Sequence, residues 1–172
     1  MTETLNKSTW DAYGPALVEL AALYDDLVVI DGDVGAPAFK DAARNLRSNS
    51  YFNMGIAEQN MILTSAGLSL ANFRVFVSSL ASFLVGRAYD EIRETIAIPG
   101  LPVKLIASYG GVTVGEDGAT HQMLEDIALM RVLPGMGVLV PSDYNSAFAL
   151  IKGAAELNRP VYIRLGRPEL PL

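Results

Sequence analysis

Leu27-Val28-Val29-Ile30 is four apolar residues in a row, closed by Asp31-Gly32-Asp33. With no polar alternation, such a run reads as a short strand buried on both faces. Upstream, Ser8 or Thr9 can cap a helix carrying Leu17, Leu20 and Leu23 on one face. Downstream, a short helical segment over 40–46 and a brief strand at Tyr51-Phe52-Asn53 lead into a helix over 58–71. The alternation then repeats. A strand over 74–77 precedes a helix over 83–98, which Pro99-Gly100-Leu101-Pro102 breaks. Strands over 103–107 and 138–140 flank a glycine loop and a helix over 121–132. Pro141-Ser142-Asp143 turns into a helix reaching 157, with Ser142 or Asp143 as its cap, and Val161-Tyr162-Ile163-Arg164 is the last strand. Apolar strands separated by helices predict a doubly wound α/β domain, with a mostly parallel sheet covered by helices on both faces. It is a single domain over 1–172 with its core in about 8–170, without repeats or an internal linker. In such a sheet the loops at 31–38, 53–58, 108–121 and 165–168 follow strands and share one edge.

Composition narrows the function. The chain has 172 residues, 51% of them hydrophobic, enough for one domain with a real core. Its 13 basic and 19 acidic residues give a net charge of −6, and no basic run or basic-aromatic cluster appears, which argues against nucleic acid as a partner. The absence of cysteine excludes disulfides, thiolate metal sites and a cysteine nucleophile. The first seven residues lack the apolar stretch of a signal peptide. The apolar segments over 61–71 and 75–85 are interrupted by polar residues and too short to span a bilayer. A soluble, cytoplasmic protein with no membrane partner is expected.

Two segments stand out. In Gly55-Ile56-Ala57-Glu58-Gln59-Asn60, Glu58 falls at the start of an apolar helix. An acid there is favoured by the helix dipole. Its neighbours Met54, Ile56, Met61 and Ile62 also offer an apolar setting, in which a carboxyl can share a proton near neutral pH. In Gly115-Glu116-Asp117-Gly118-Ala119-Thr120-His121-Gln122, two acids and the chain's single histidine sit in a glycine-bent loop. This is either a solvated acidic surface capped by Thr120 or a functional loop. No second histidine or cysteine is available for a zinc site. Neither Gly32-Asp33-Val34 nor the glycines near Gly110 form a nucleotide fingerprint or a P-loop.

Together these segments resemble the pyrimidine-binding domain of transketolase-like enzymes that use thiamine diphosphate. A third match is Val77-Ser78-Ser79-Leu80-Ala81-Ser82-Phe83-Leu84-Val85-Gly86-Arg87-Ala88-Tyr89-Asp90, where helical spacing alone makes Phe83 and Tyr89 core residues. The resemblance runs over about 8–170 and is greatest to the C-terminal subunit of split transketolases. It implies that Glu58 hydrogen-bonds the cofactor's aminopyrimidine nitrogen and favours the imino tautomer, and that Phe83 stacks on that ring. Asp117 would hold a donor-sugar hydroxyl, and His121 would sit beside the cofactor and the reacting carbon. Asp33, otherwise a strand-ending turn residue, would lie near the cofactor and the subunit interface. Arg167, otherwise a surface charge, would grip a sugar phosphate through its bidentate guanidinium. The implied reaction moves a two-carbon ketol unit from a ketose to an aldose.

The departures from that family matter as much. The Gly-Asp-Gly…Asn motif that positions Mg2+ against the cofactor's diphosphate is missing from these 172 residues. A partner carrying the diphosphate-binding domain must therefore supply it, in a homo-dimer or a hetero-oligomer. The family normally continues past the position of Leu172 into a third domain. Tyr109 stands where the family often has histidine, and Asp33-Val34-Gly35-Ala36-Pro37-Ala38 lacks a hydroxyl often used near phosphate. An unusual donor, with a different anionic end, is expected. The alternatives are a subunit like deoxyxylulose-phosphate synthase, whose substrate loop usually lacks the Glu116 equivalent, and a non-catalytic assembly or regulatory domain retaining the fold.

Overall fold

The computed structural model describes residues 6–34 and 50–172. The short helix expected over 40–46 lies outside the described residues. Strands β2 (Leu27–Asp31), β3 (Tyr51–Asn53), β4 (Arg74–Leu80), β5 (Lys104–Ser108), β6 (Gly137–Leu139) and β7 (Val161–Arg164) form a six-stranded sheet in the order β3-β2-β4-β5-β7-β6. Every pairing in it is parallel. The carboxyl ends of the strands therefore face one edge, as expected from the doubly wound pattern. A separate antiparallel ribbon joins β1 (Asn6–Ser8) to β8 (Glu169–Pro171), with Asn6 opposite Pro171.

Strand β2 shows why the fold forms. Successive side chains point to opposite faces, and every residue of the strand is buried. Val28 and Ile30 join a core with Met61, Val75, Val77, Leu84 and Tyr162. Leu27 and Val29 join a second core with Trp10, Leu17, Leu20, Phe76 and Ile163. Helices α2 (Glu58–Leu70) and α3 (Ala81–Glu91) cover the first face. Helices α1 (Tyr13–Leu23) and α5 (Tyr144–Ala154) cover the second. Among the described residues a short α4 (Asp126–Arg131) completes the set, and α3 continues as a π-helical segment over Ile92–Ala97. Among the described residues no helix is long and apolar enough to cross a membrane.

Two local expectations are corrected, and one choice between residues is decided. Leu23 is 65% exposed, while Leu17 and Leu20 are buried; steps of three residues fall about 60° short of a full turn each time, so the third leucine drifts off the face. At the opposite end Ser8 is the residue that caps: its amide and hydroxyl donate to Asp11 Oδ2 at 2.8 and 2.7 Å, and Asp11 N–H donates back to Ser8 Oγ. Thr9 instead accepts from Gly166 N–H at 2.6 Å. The helix expected over 121–132 begins only at Asp126. The segment before it is pinned elsewhere, because Met123 O accepts from Gly111 N–H at 2.7 Å and from Arg164 Nη2 at 3.2 Å. Asp143 does cap α5, in a reciprocal box with Ser146.

Lys104 is the unexpected core residue. It is buried at the start of β5, and its Nζ donates to the carbonyls of Pro102, Leu157 and Arg159 at 2.9, 2.7 and 3.0 Å. Burial, with the nearby Arg74 and Arg159 guanidiniums adding to it, pulls its pKa down to about 8. The ammonium staples the 155–159 turn to the sheet. Lys104→Met takes the donor from three partly buried carbonyls and is expected to cost about 2 kcal/mol of unfolding free energy, read as a lowered urea midpoint.

Candidate active site

The site is assembled where β2 and β4 end. Asp31, last in β2, is buried and accepts from Tyr51 Oη at 2.9 Å and from Ser78 Oγ at 3.4 Å. Burial pushes its carboxyl above the ordinary 3.8, against the lowering effect of those hydroxyls. A raised carboxyl stabilises the fold fully below the unfolded pKa, and that contribution is lost as pH rises through the folded value. Relative to the native chain, Asp31→Asn is therefore expected to gain stability as pH is raised from about 4 toward neutrality, in urea titrations at stepped pH.

Beyond Asp31 the chain has no room for a side chain. A Cβ at Gly32 would lie 2.9 Å from Ser79 Oγ and 3.2 Å from Met61 Sδ. Asp33 follows at φ 62°, a left-handed conformation that Asp tolerates better than most residues. Its carboxylate accepts from Asn53 Nδ2 at 2.8 Å, and Asn53 Oδ1 accepts from Gly55 N–H at 2.8 Å. The turn that feeds α2 is thus tied to the end of β2.

Glu58 opens α2 and is only 1% exposed. Its Oε1 accepts from Ser79 Oγ at 3.1 Å, and its Oε2 accepts from Arg87 Nη1 at 2.5 Å. The apolar setting expected from its neighbours is only partly realised: Met61 and Ile62 are buried beneath it, but Ile56 is 75% exposed. Arg87 also lies over the Phe83 ring, with Cζ 4.8 Å from its centroid. On that ring His121 packs edge-on, centroids 5.1 Å apart at 77°. Thr120 Oγ1 is 3.0 Å from His121 Nδ1. Glu58, Arg87, Phe83 and His121 thus form one contiguous string from α2 through α3 to the glycine loop.

Asp117 and Arg167 meet in a second group on the same loop. Arg167 Nη1 donates to Val114 O at 2.7 Å and to Asp117 Oδ2 at 3.2 Å, and Nη2 donates to Glu116 Oε1 at 3.3 Å. Tyr109 lies against both Arg167 and Trp10. Asp33 belongs to neither group and is held by Asn53.

The support beneath the loop is a triad of two buried side chains, Asp126 and Tyr162, and the partly buried Arg164. Asp126 Oδ2 accepts from Tyr162 Oη at 2.7 Å and pairs with Arg164 Nε at 2.9 Å. Burial, with Asp126 beside it, raises the Tyr162 phenol well above its ordinary value. The arginine side chain lies flat under Gly110, where a Cβ would sit 2.2 Å from Nε, and under Gly111 at φ 83°. Only glycine lets the loop pass this close.

Ser79, Arg87 and this triad were not singled out from sequence. Signals for two of them exist. Arg87 is four residues after Phe83, one helical turn away, and Tyr162 and Arg164 share one face of a strand that is otherwise apolar.

A parallel, doubly wound sheet with a buried acid, an aromatic face and a histidine along its carboxyl edge defines a ligand-binding α/β domain. Residues 6–171 match the family described as transketolase, pyrimidine binding domain. The chain belongs to that family. It is 45% identical over 155 residues to a Methanocaldococcus jannaschii protein whose name assigns it as a transketolase C-terminal section, covering 90% of this chain and 49% of that protein. It is 35% identical over 161 residues to one of the subunits of the apulose-4-phosphate transketolase of Phocaeicola vulgatus, covering 93% and 51%. A solved split-gene transketolase, in an inactive beta4 tetramer, superposes with a TM-score of 0.82 at 44% identity, over 96% of this chain and 52% of that one. The chain spans about half the length of each of these relatives.

Proposed function

We propose that this chain is the pyrimidine-binding half of a transketolase-like transferase, completed by a partner subunit that carries the diphosphate-binding domain. The observation that carries the proposal is Glu58: a carboxylate almost wholly buried at a helix start, one guanidinium away from the face of Phe83 and the edge of His121. A buried acceptor beside a flat aromatic face suits a heteroaromatic ring with in-plane N–H groups. Glu58, Phe83 and Asp33 would hold thiamine diphosphate, while Mg2+ and the diphosphate fall to the partner. When bound, the cofactor supplies the electron sink that lets a ketose carbon–carbon bond break and a two-carbon ketol unit pass to an aldose.

The chain's own residues bind, orient and move protons. Glu58 holds a proton at the ring nitrogen of the aminopyrimidine, and its burial keeps water from competing for Oε2. Phe83 sets the plane of the ring. His121 is placed to donate to an oxygen on the reacting carbon, and Asp117 accepts from a donor-sugar hydroxyl. Arg167 takes the anionic end of the sugar by exchanging Glu116 and Asp117 for it. Tyr109, packed between Trp10 and Arg167, adds no cation there. This supports a donor whose anionic end differs from that of ordinary xylulose phosphate. The domain acts in the cytoplasm as a single unit over 8–170, within a homo-dimer or hetero-oligomer.

The test is affinity capture of the chain from its native lysate with Mg2+ and thiamine diphosphate present, followed by mass spectrometry. Recovery of a second polypeptide with Gly-Asp-Gly…Asn in its sequence supports the split enzyme. Recovery of the chain alone overturns it in favour of a non-catalytic domain that keeps the fold.

A further inference from the structure

We infer that Arg87 is a positioning residue that stands in for the cofactor's aminopyrimidine in the unassembled chain, and that the cofactor must displace it to reach Glu58. This rests on the assignment of Glu58 and Phe83 to the cofactor ring. A guanidinium is planar, cationic and rimmed with N–H donors. Here it makes two contacts at once: Cζ lies 4.8 Å from the Phe83 centroid, and Nη1 donates to Glu58 Oε2 at 2.5 Å. A pyrimidine ring stacked on Phe83 and donating to Glu58 would use the same face and the same oxygen. The two groups cannot occupy them together.

The surroundings say which partner moves. The Glu58 side chain is 1% exposed and its Oε1 stays with Ser79 Oγ at 3.1 Å, whereas the Arg87 side chain is 42% exposed. The arginine can swing into solvent, and the carboxylate cannot. Oε2 is therefore the atom that changes partner. While the site is unfilled, Arg87 prevents the burial of an unpaired carboxylate and covers an aromatic face that water would otherwise wet. The contact is a competitor and not a lock, because a half-exposed ion pair and an exposed cation–π contact are each weak.

Calorimetric titration of thiamine diphosphate with Mg2+ tests this in the complex with the diphosphate-binding subunit. The native chain is compared with Arg87→Gln, Arg87→Lys and Glu58→Gln. Arg87→Gln is expected to lower Kd about fivefold to tenfold. Arg87→Lys should fall between the two, since an ammonium keeps the charge but has no plane to lay on Phe83. Raising salt should tighten the native complex relative to Arg87→Gln, because the competing pair is screened. Melting without cofactor confirms that each variant folds. If Arg87→Gln binds no more tightly than the native chain while Glu58→Gln weakens binding, the stand-in role is overturned and the site survives. If neither variant alters Kd, the cofactor-site assignment falls, and the stand-in role with it.

Discussion

Glu58→Gln is expected to lower turnover of the assembled complex at least about a hundredfold, the usual scale of a lost proton-transfer group, while leaving the fold intact. Glutamine matches glutamate in shape and keeps an acceptor for Ser79 Oγ. It can accept from only one of its two terminal atoms, though, and it cannot take up the charge or hold a proton at a ring nitrogen. Because the native carboxylate is 1% exposed and ion-paired to a half-exposed arginine, the stability change should be small. Steady-state turnover and thermal melting of the same preparations separate the two effects. Unchanged turnover would remove Glu58 from catalysis; a collapsed melting temperature would show it to be structural.

Asp126→Ala carries the largest expected stability loss, about 3 kcal/mol, because it takes a buried acceptor from the Tyr162 phenol and from the partly buried Arg164 guanidinium together. Tyr162 Oη and Arg164 Nε both depend on Asp126 Oδ2, at 2.7 and 2.9 Å. Arg164 in turn lies beneath Gly110 and Gly111 and donates to Met123 O. The damage should therefore spread from the core to the glycine loop that carries Asp117 and His121. Urea unfolding measures the first effect, and amide exchange over 109–123 measures the second. A loss under about 1 kcal/mol would mean that the pair is solvated and supports nothing.

The order of strands and helices was legible because most of the signal is local. Residues 27–30 have no polar interruption, and Asp143 with Ser146 is a complete capping box in four residues. What could not be read depends on distant partners. The backbone before Asp126 is held by Gly111 and Arg164 instead of continuing the helix upstream. Lys104 is legible as a core residue only once the carbonyl of Pro102 and two carbonyls of the distant 155–159 turn converge on it. Along the candidate site, the motifs singled out Glu58, Phe83, His121, Asp117 and Arg167, and the parallel sheet explains how they come to one edge. Arg87 was not singled out, since its reach to an acid 29 residues away is not a local signal. The Asp126–Tyr162 bond spans 36 residues and was equally invisible.

The β1–β8 ribbon has a mechanical consequence. Asn6 and Pro171 face each other at its open end, so tension applied at the two ends of the chain peels its hydrogen bonds one by one. The parallel strands would bear load only afterwards. Next in line on the C-terminal side is Arg167, and immediately beyond it are the two contacts of Gly166 with Thr9. A pull from a flanking segment would thus reach the loop that grips Glu116 and Asp117 before it reaches any strand of the core.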